Sequence, residues 1–361
     1  SHYSSPSTDY GIRLQPRTVA GSINRACYIS SDYYANTSLR PIITIEYSDA
    51  PVSNSAVNNK AAYCIRNANS GYYLDVYNAV DANGQNVQTH FFNGSVSQRW
   101  RAIINTNGTY SFISSVGSFS RFLDVTSNNA DIFYSFPSDQ QFTLVRYNNS
   151  NFFKIKFGEK FISENSEHNV FASDIDLGAS SLWSFESVFG IAAPLYPQLY
   201  DNAIPEKYKK FTADSLTSND ILNFIRSSRV FISNCHGSFE CIQVGEEMMK
   251  SSVANLPAND LSGVKCVVFI ACETGMGGET ADNLVNTVFS KGAQAVIGFQ
   301  EEIGAIADNW GDGFMAALRA GATIEDAMLA GDDAGFQEWK SYENIKVRTV
   351  RGTTNVSVLE G

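Results

Sequence analysis

The chain has 361 residues, enough for two or three domains at roughly 100–200 residues each. Its 26 Lys and Arg against 37 Asp and Glu leave a formal net charge of −11, which argues against a surface that tracks nucleic-acid phosphates. Only 17% of residues are charged, while Asn, Ser, Tyr and Phe are abundant, a mix commoner in secreted or surface proteins than in cytosolic enzymes, and the longest apolar run, Val264–Cys272, is too short to span a bilayer.

The opening residues, Ser1–Pro6, carry no apolar stretch of the kind a secretory leader needs, so the chain reads as a mature fragment or a cytosolic protein. Residues 1–50 hold alternating apolar runs, and Ile42–Tyr47 reads as a strand. The phrase "SINRACYISSDYYANTSLRPIITIEYSD" resembles the last strands of the jelly-roll modules of bacterial surface proteins known as DNRLRE domains. Residues 51–60, rich in Ser, Asn and Ala, read as a linker. Six cysteines (27, 64, 235, 241, 266 and 272) form no C-x-x-C pair and no zinc pattern. No metal or cofactor is expected, and most of these thiols are expected to be small buried hydrophobes rather than disulfide partners.

Residues 61–188 hold an internal repeat with units starting near Tyr63, Tyr110 and Phe152. The second strands of the units are Tyr73-Leu74-Asp75-Val76, Phe122-Leu123-Asp124-Val125 and Lys160-Phe161-Ile162-Ser163. The units close on Gln98-Arg99-Trp100, Gln140-Gln141-Phe142 and Ser181-Leu182-Trp183. Short strands at this spacing, with Gly, Asn and Ser turns, predict an all-β unit in which three incomplete units share one core. The phased units and the Q-x-W closure resemble the ricin-type β-trefoil lectins. The resemblance implies a sugar site in the first unit alone, built from Asp75, Gln88, His90 at the aromatic position, Asn93 and Gln98. The second unit keeps Asp124 but is shortened, and the third has Ser163 at the Asp position. Asp75 and Gln98 also read simply as framework groups that hold turns.

From residue 189 to 361 the pattern becomes α/β. Ser218–Arg226 holds an N-cap candidate followed by helical spacing. Arg229–Ser233 is a short β-branched strand, and Val264–Ala271, apolar but for Lys265, is suited to a buried central strand. Glu279–Ser290 is predicted as a helix, Ala293–Phe299 as a strand, and Ile306–Arg319 and Thr323–Ala330 as helices. Ile345–Val350 and Thr354–Leu359 read as a closing hairpin or edge strands. The alternation implies a mainly parallel central sheet.

Two phrases carry the chemistry. Asn234-Cys235-His236-Gly237 follows one strand and Ala271-Cys272-Glu273-Thr274-Gly275 follows the next. Ligands in such sheets sit beyond the carboxyl ends of the strands. There an imidazole can take the proton of a thiol, and backbone N–H groups can hold the oxyanion of acyl transfer. The reading is a dyad of Cys272 as nucleophile and His236 as base, with the N–H groups of Gly237 and Cys272 as oxyanion donors. Strand-His-Gly followed by strand-Ala-Cys resembles the caspase-like clan CD cysteine peptidases, closest to the CHAT family, over about residues 228–332. By that resemblance the substrate is a protein or peptide. Clostripain-like members place an Asp two residues before the Cys to take a basic side chain; Ile270 stands there. Glu273, Glu301, Glu302 and Asp308 are the acidic candidates for a substrate pocket. Caspase-like sheets also place two strands ahead of the His strand, and only Gly190–Leu199 is visible for one of them.

The combined expectation is a multidomain chain: a jelly-roll tail, a linker, a β-trefoil over 61–188 and a caspase-like domain over 189–361. Its function is expected to be peptide-bond hydrolysis, with a trefoil that binds glycan or a surface. The alternatives are a carbohydrate-binding surface protein with an inert caspase-like scaffold, or a toxin-like protein that processes itself. The module mixture favours an extracellular or cell-surface location in a bacterium.

Overall fold

The computed structural model describes residues 57–117, 119–134, 140–148, 150–304, 306–338 and 347–359. The jelly-roll tail read in residues 1–50 and most of the 51–60 linker lie outside the described residues. The first repeat supplies β1 (Ala62–Asn67), β2 (Tyr73–Val76), β3 (Gln85–His90) and β4 (Trp100–Ile104). The second supplies β5 (Tyr110–Ser114), β6 (Arg121–Thr126), β7 (Asn129–Tyr134) and β8 (Phe142–Arg146). The third supplies β9 (Phe152–Phe157), β10 (Lys160–Glu164), β11 (Val170–Ser173) and β12 (Leu182–Ala192).

First and last strands of the repeats close a barrel: β1 pairs β4, β4 pairs β5, β5 pairs β8, β8 pairs β9, β9 pairs β12, and β12 returns to β1. The middle strands form hairpins that cap one end. The repeat is visible in side chains too. The Trp100 indole donates to Leu74 O at 2.9 Å, and the Trp183 indole donates to Ile162 O at 2.8 Å in the third repeat. Phe142 fills the same place in the second repeat without an N–H. On the cap, Asn169 donates to Asn129 and Asn129 to Asn86, each at 2.9 Å, so one asparagine per repeat meets its neighbour. One apolar core joins Leu74, Trp100, Phe112, Leu123, Phe142 and Trp183.

Strand β12 does not stop at the trefoil. Its first half pairs β9 and β1; its second half, from Ser187 to Ala192, runs parallel to β13 (Tyr208–Ala213) and, from Phe189, to a further strand, β14 (Val230–Asn234). Between these two strands lies α1 (Ser218–Arg226), capped by Thr217, whose hydroxyl accepts from Asp220 N. A small antiparallel sheet follows, β15 (His236–Gly237), β16 (Cys241–Val244) and β17 (Glu246–Met249), and then α2 (Lys250–Ala254). The main sheet continues through β18 (Cys266–Ile270), α3 (Leu284–Ser290) and β19 (Ala295–Phe299). After α4 (Ile306–Arg319) and α5 (Ile324–Glu338), β20 (Arg348–Gly352) closes it as an antiparallel edge. The order across the sheet is β13-β12-β14-β18-β19-β20, parallel except for β20. Alternate residues of each strand bury opposite faces. Val188, Phe231, Val267 and Val296 pack under α1 to α3, while Phe189, Ile232, Val268 and Ile297 pack under α4 and α5.

Two strands therefore precede the His strand, and the trefoil lends the length that seemed to be missing. Three other expectations change. The helix read over Glu279–Ser290 begins only at Leu284, because Asn283 caps it and the chain before it folds back onto Asn283 and Asn286 side-chain amides. The helix read over Thr323–Ala330 runs on to Glu338; Gly331 does not end it but lets the Trp310 indole lie against the helix, where a methyl group would be 2.8 Å from the ring. Of the closing hairpin or edge strands, the first is the edge strand β20; among the described residues 354–359 form no strand, and Thr354 O and Val356 O instead accept the N–H groups of Glu325 and Ile324 at the start of α5.

The two halves are bound by polar and aromatic contacts. Asp260, just after α2, receives Arg101 of β4 at 3.1 Å and Arg226 of α1 at 2.8 Å. Burial alone would raise the Asp260 carboxyl, but the two guanidinium groups hold it below the usual carboxylate range. Arg99, from the Gln-Arg-Trp closure, inserts between Phe224 (4.6 Å) and Phe211 (5.2 Å), and burial lowers its guanidinium to about 10.

Candidate functional site

Parallel pairing sets the level of the two chemical phrases. β14 and β18 run in register from Val230 opposite Cys266 to Asn234 opposite Ile270. His236 and Cys272 each lie two residues beyond that last pair, so they leave the sheet side by side at its carboxyl end. Cys235 N extends the ladder by donating to Ile270 O at 3.2 Å. Gly237 is pressed against the cysteine turn: a methyl group there would lie 2.8 Å from Ala271 Cβ and 3.0 Å from Cys272 O. A larger residue would push the two phrases apart.

The turn after Cys272 is held by its own residues. Glu273 takes a left-handed φ of 57°, which turns the chain sharply away behind the thiol. Glu273 N donates to Glu301 O at 3.2 Å, and Gly275 N donates to Phe299 O at 2.8 Å. The buried Thr274 hydroxyl donates back to Ala271 O at 3.3 Å, and the Thr349 hydroxyl of β20 donates to Gly275 O at 2.6 Å. The Thr-Gly pair after the cysteine thus ties the turn to β18, β19 and β20 together.

A cavity of about 350 Å³ opens where the phrases meet, lined by Cys272, His236, Asn234 and Cys235 with Ile270, Ile303 and Asp308. Cys272 is half-buried and His236 exposed. The rival thiols differ in kind: burial pushes Cys235 and Cys266 up to about 12, and pushes Cys64 up as well. Cys241 is partly exposed and lies 3.4 Å from the Ser238 hydroxyl, outside the residues that line the cavity. Of the four acidic candidates only Asp308 lines the cavity; Glu273, Glu301 and Glu302 do not. Asp308 sits in the first turn of α4 and accepts from the Asn234 amide at 2.9 Å. Burial raises its carboxyl, with the charge of Asp312 adding to the rise. Asn234 and Leu195 as lining residues were not read from the sequence; a polar strand end and a loop leucine give no local signal.

On the trefoil, the sugar candidates of the first repeat come together but are largely engaged with one another. Asp75 is buried, accepting from Gln88 at 3.3 Å and from the Ser97 hydroxyl at 2.7 Å. Gln98 is fully buried; its carbonyl accepts from Asn93 N at 3.1 Å and its amide donates to Phe91 O at 2.9 Å. His90 lies against Phe91, 4.1 Å between rings, and Phe91 is 56% exposed. Asn93 is exposed, and its side chain accepts from Ser95 N at 2.9 Å. Phe92 turns inward and meets the Phe211 ring of β13 at 5.4 Å, edge to face. A wider depression of about 760 Å³ lies between the second and third repeats, beside Val125, Asn128, Lys160 and Asp174, and includes none of the first-repeat candidates.

The barrel of six strands with three capping hairpins is accompanied by a family match: residues 53–132 match the ricin-type β-trefoil lectin domain-like model. The chain carries a ricin-type β-trefoil lectin-like domain. The match ends in β7; the third repeat of the lectin-like domain is seen in the structure. Among solved structures, the designed threefold-symmetric protein ThreeFoil is 25% identical, with 34% of this chain and 96% of that chain covered and a TM-score of 0.31. The Rhizoctonia solani agglutinin is 18% identical, with 35% and 93% covered and a TM-score of 0.31. The Macrolepiota procera ricin B-like lectin, solved in complex with lactose, is 15% identical, with 36% and 96% covered and a TM-score of 0.30. No curated protein matches the sequence. Among the described residues no helix is long and apolar enough to cross a membrane.

Proposed function

We propose that the α/β half is a cysteine peptidase of the caspase-like type and that the lectin-like domain attaches it to glycans, outside the cell or on a cell surface. The observation that carries the peptidase reading is the level exit of His236 and Cys272 from neighbouring parallel strands into one cavity. In this scheme His236 takes the Cys272 proton, and the thiolate attacks the substrate carbonyl carbon. The negative oxygen is held by the N–H groups of Gly237 and Cys272. Collapse breaks the C–N bond, His236 returns its proton to the leaving amine, and a thioester remains. Water, deprotonated by His236, then releases the acid and the thiol. Two strands ahead of the His strand and a mainly parallel sheet support the caspase-like assignment.

A second reading, a glycan-binding protein with an inert α/β scaffold, is favoured by the family match, which covers the lectin-like domain alone. Iodoacetamide labelling separates the two. The peptidase reading expects Cys272 to be alkylated at least tenfold faster than Cys235 and Cys266, a difference lost in His236→Ala, and peptide cleavage to vanish in Cys272→Ala with its circular dichroism unchanged. Equal labelling of the thiols and no cleavage by the wild type, with retained binding on a glycan array, establishes the scaffold reading.

A further inference from the structure

The cavity beside Cys272 has one wall that the dyad does not use. Ile270 and Ile303 with Leu195 and Ala307 make it apolar, and a single carboxylate, Asp308, stands among them. Among the described residues no lysine or arginine lines this cavity. One Asp308 oxygen accepts from Asn234 at 2.9 Å. Asn234 is the last residue of β14, two before His236, so the same strand end aims both the base and the carboxylate. The neighbouring acid, Asp312, is already held by the Tyr196 hydroxyl at 2.8 Å and the Asn202 amide at 2.6 Å. An apolar-walled cavity carrying one partly buried carboxylate suits a long side chain with a methylene stem and a cationic head.

We propose that this cavity receives a lysine or arginine side chain of the substrate, with Asp308 as the residue that sets the preference. The inference rests on the peptidase reading and names its substrate class: peptides cleaved after a basic residue. The acid does not come from the strand that carries the nucleophile, where Ile270 occupies the corresponding place. It comes across the cavity from the first turn of α4. A neutral side chain in the cavity would cover the partly buried Asp308 charge without supplying a counter-ion, which is the larger part of the discrimination. Because burial raises the Asp308 carboxyl, uptake of the cation strengthens as pH rises through that elevated value and weakens below it.

Two measurements test this. The first compares kcat/KM for peptides that differ only in the residue before the cleaved bond: Arg, Lys, Gln, Met and Asp. The wild type is expected to favour Arg and Lys over Gln and Met by about 10–100-fold, and Asp308→Asn to lose that preference while still cleaving the neutral peptides. The second needs no turnover: agmatine, an alkyl guanidinium, is expected to raise the Tm of the wild type and of Cys272→Ala at millimolar concentration, by less as the pH is lowered and Asp308 takes up its proton. Cleavage without a basic preference, or a preference untouched in Asp308→Asn, overturns the pocket assignment and leaves the dyad standing. No cleavage with an unreactive Cys272 overturns the peptidase reading, and an absent agmatine shift then overturns the cation site as well.

Discussion

A methyl group at position 237 would lie 2.8 Å from Ala271 Cβ and 3.0 Å from Cys272 O, closer than side chains normally tolerate. Gly237→Ala must therefore move the His phrase away from the Cys phrase or strain the turn. The expected outcome is a loss of stability of about 1–3 kcal/mol and a fall in the Cys272 alkylation rate toward that of His236→Ala, read by thermal melts and timed labelling. The shared position of His236 and Cys272 was legible in the sequence because both residues follow strands of recognisable apolar pattern, and parallel strands place their ends together. The pocket was only partly legible. Glu273, Glu301, Glu302 and Asp308 look alike as letters, and only the fold shows that the helix-borne acid is the one that lines the cavity. The first-repeat sugar set was legible as a cluster, but its hydrogen bonds were not: Asp75 and Gln98 are committed to Gln88, Ser97 and the 91–93 turn.

At the scale of elements, α1 matches its predicted bounds because the capping residue and the apolar face agree. The helix near 279–290 shows the opposite case. Helical spacing extends before the true start, and only the competition of Asn283 and Asn286 for backbone carbonyls shortens it. Asn283 does double work here, accepting from Asn286 N at 2.9 Å and donating to Met276 O and Gly278 O at 3.0 Å each. Asn283→Ala should cost more than a lost cap alone, about 1–3 kcal/mol in a urea melt, and a value under 0.5 kcal/mol would show that the 276–283 loop holds itself. The repeat strands were read correctly from period and closing aromatics. The double role of β12 was not, since an alternating strand pattern does not record which partners flank it.

Across the whole molecule, the described residues belong to one compact unit. Asp260, 6% exposed, pairs with guanidinium groups from both halves, and Arg101 is 2% exposed. Asp260→Ala leaves the buried Arg101 and the partly buried Arg226 without their shared carboxylate and should destabilise the protein by about 3 kcal/mol. The pH dependence has a definite sign. The folded carboxyl lies below its unfolded value, so its contribution is present above about pH 4 and is lost as pH falls through the folded value. Scanning calorimetry at pH 7 should show the lectin-like domain and the α/β half melting together in one transition. Two resolved transitions would mean that the contacts between them are weak.

The strand that serves both halves also acts as a ruler. β12 carries the chain from the barrel into the α/β sheet, between β13 and β14, as one continuous strand, and the Phe92 contact on β13 braces the same junction from the candidate sugar loop. A molecule anchored through its lectin-like domain would present the cavity at one fixed height and angle above the anchoring surface. Its reach would then be set by geometry rather than by the length of a tether. If the proposed peptidase reading holds, bonds at that height would be cut, and those nearer or farther would be spared.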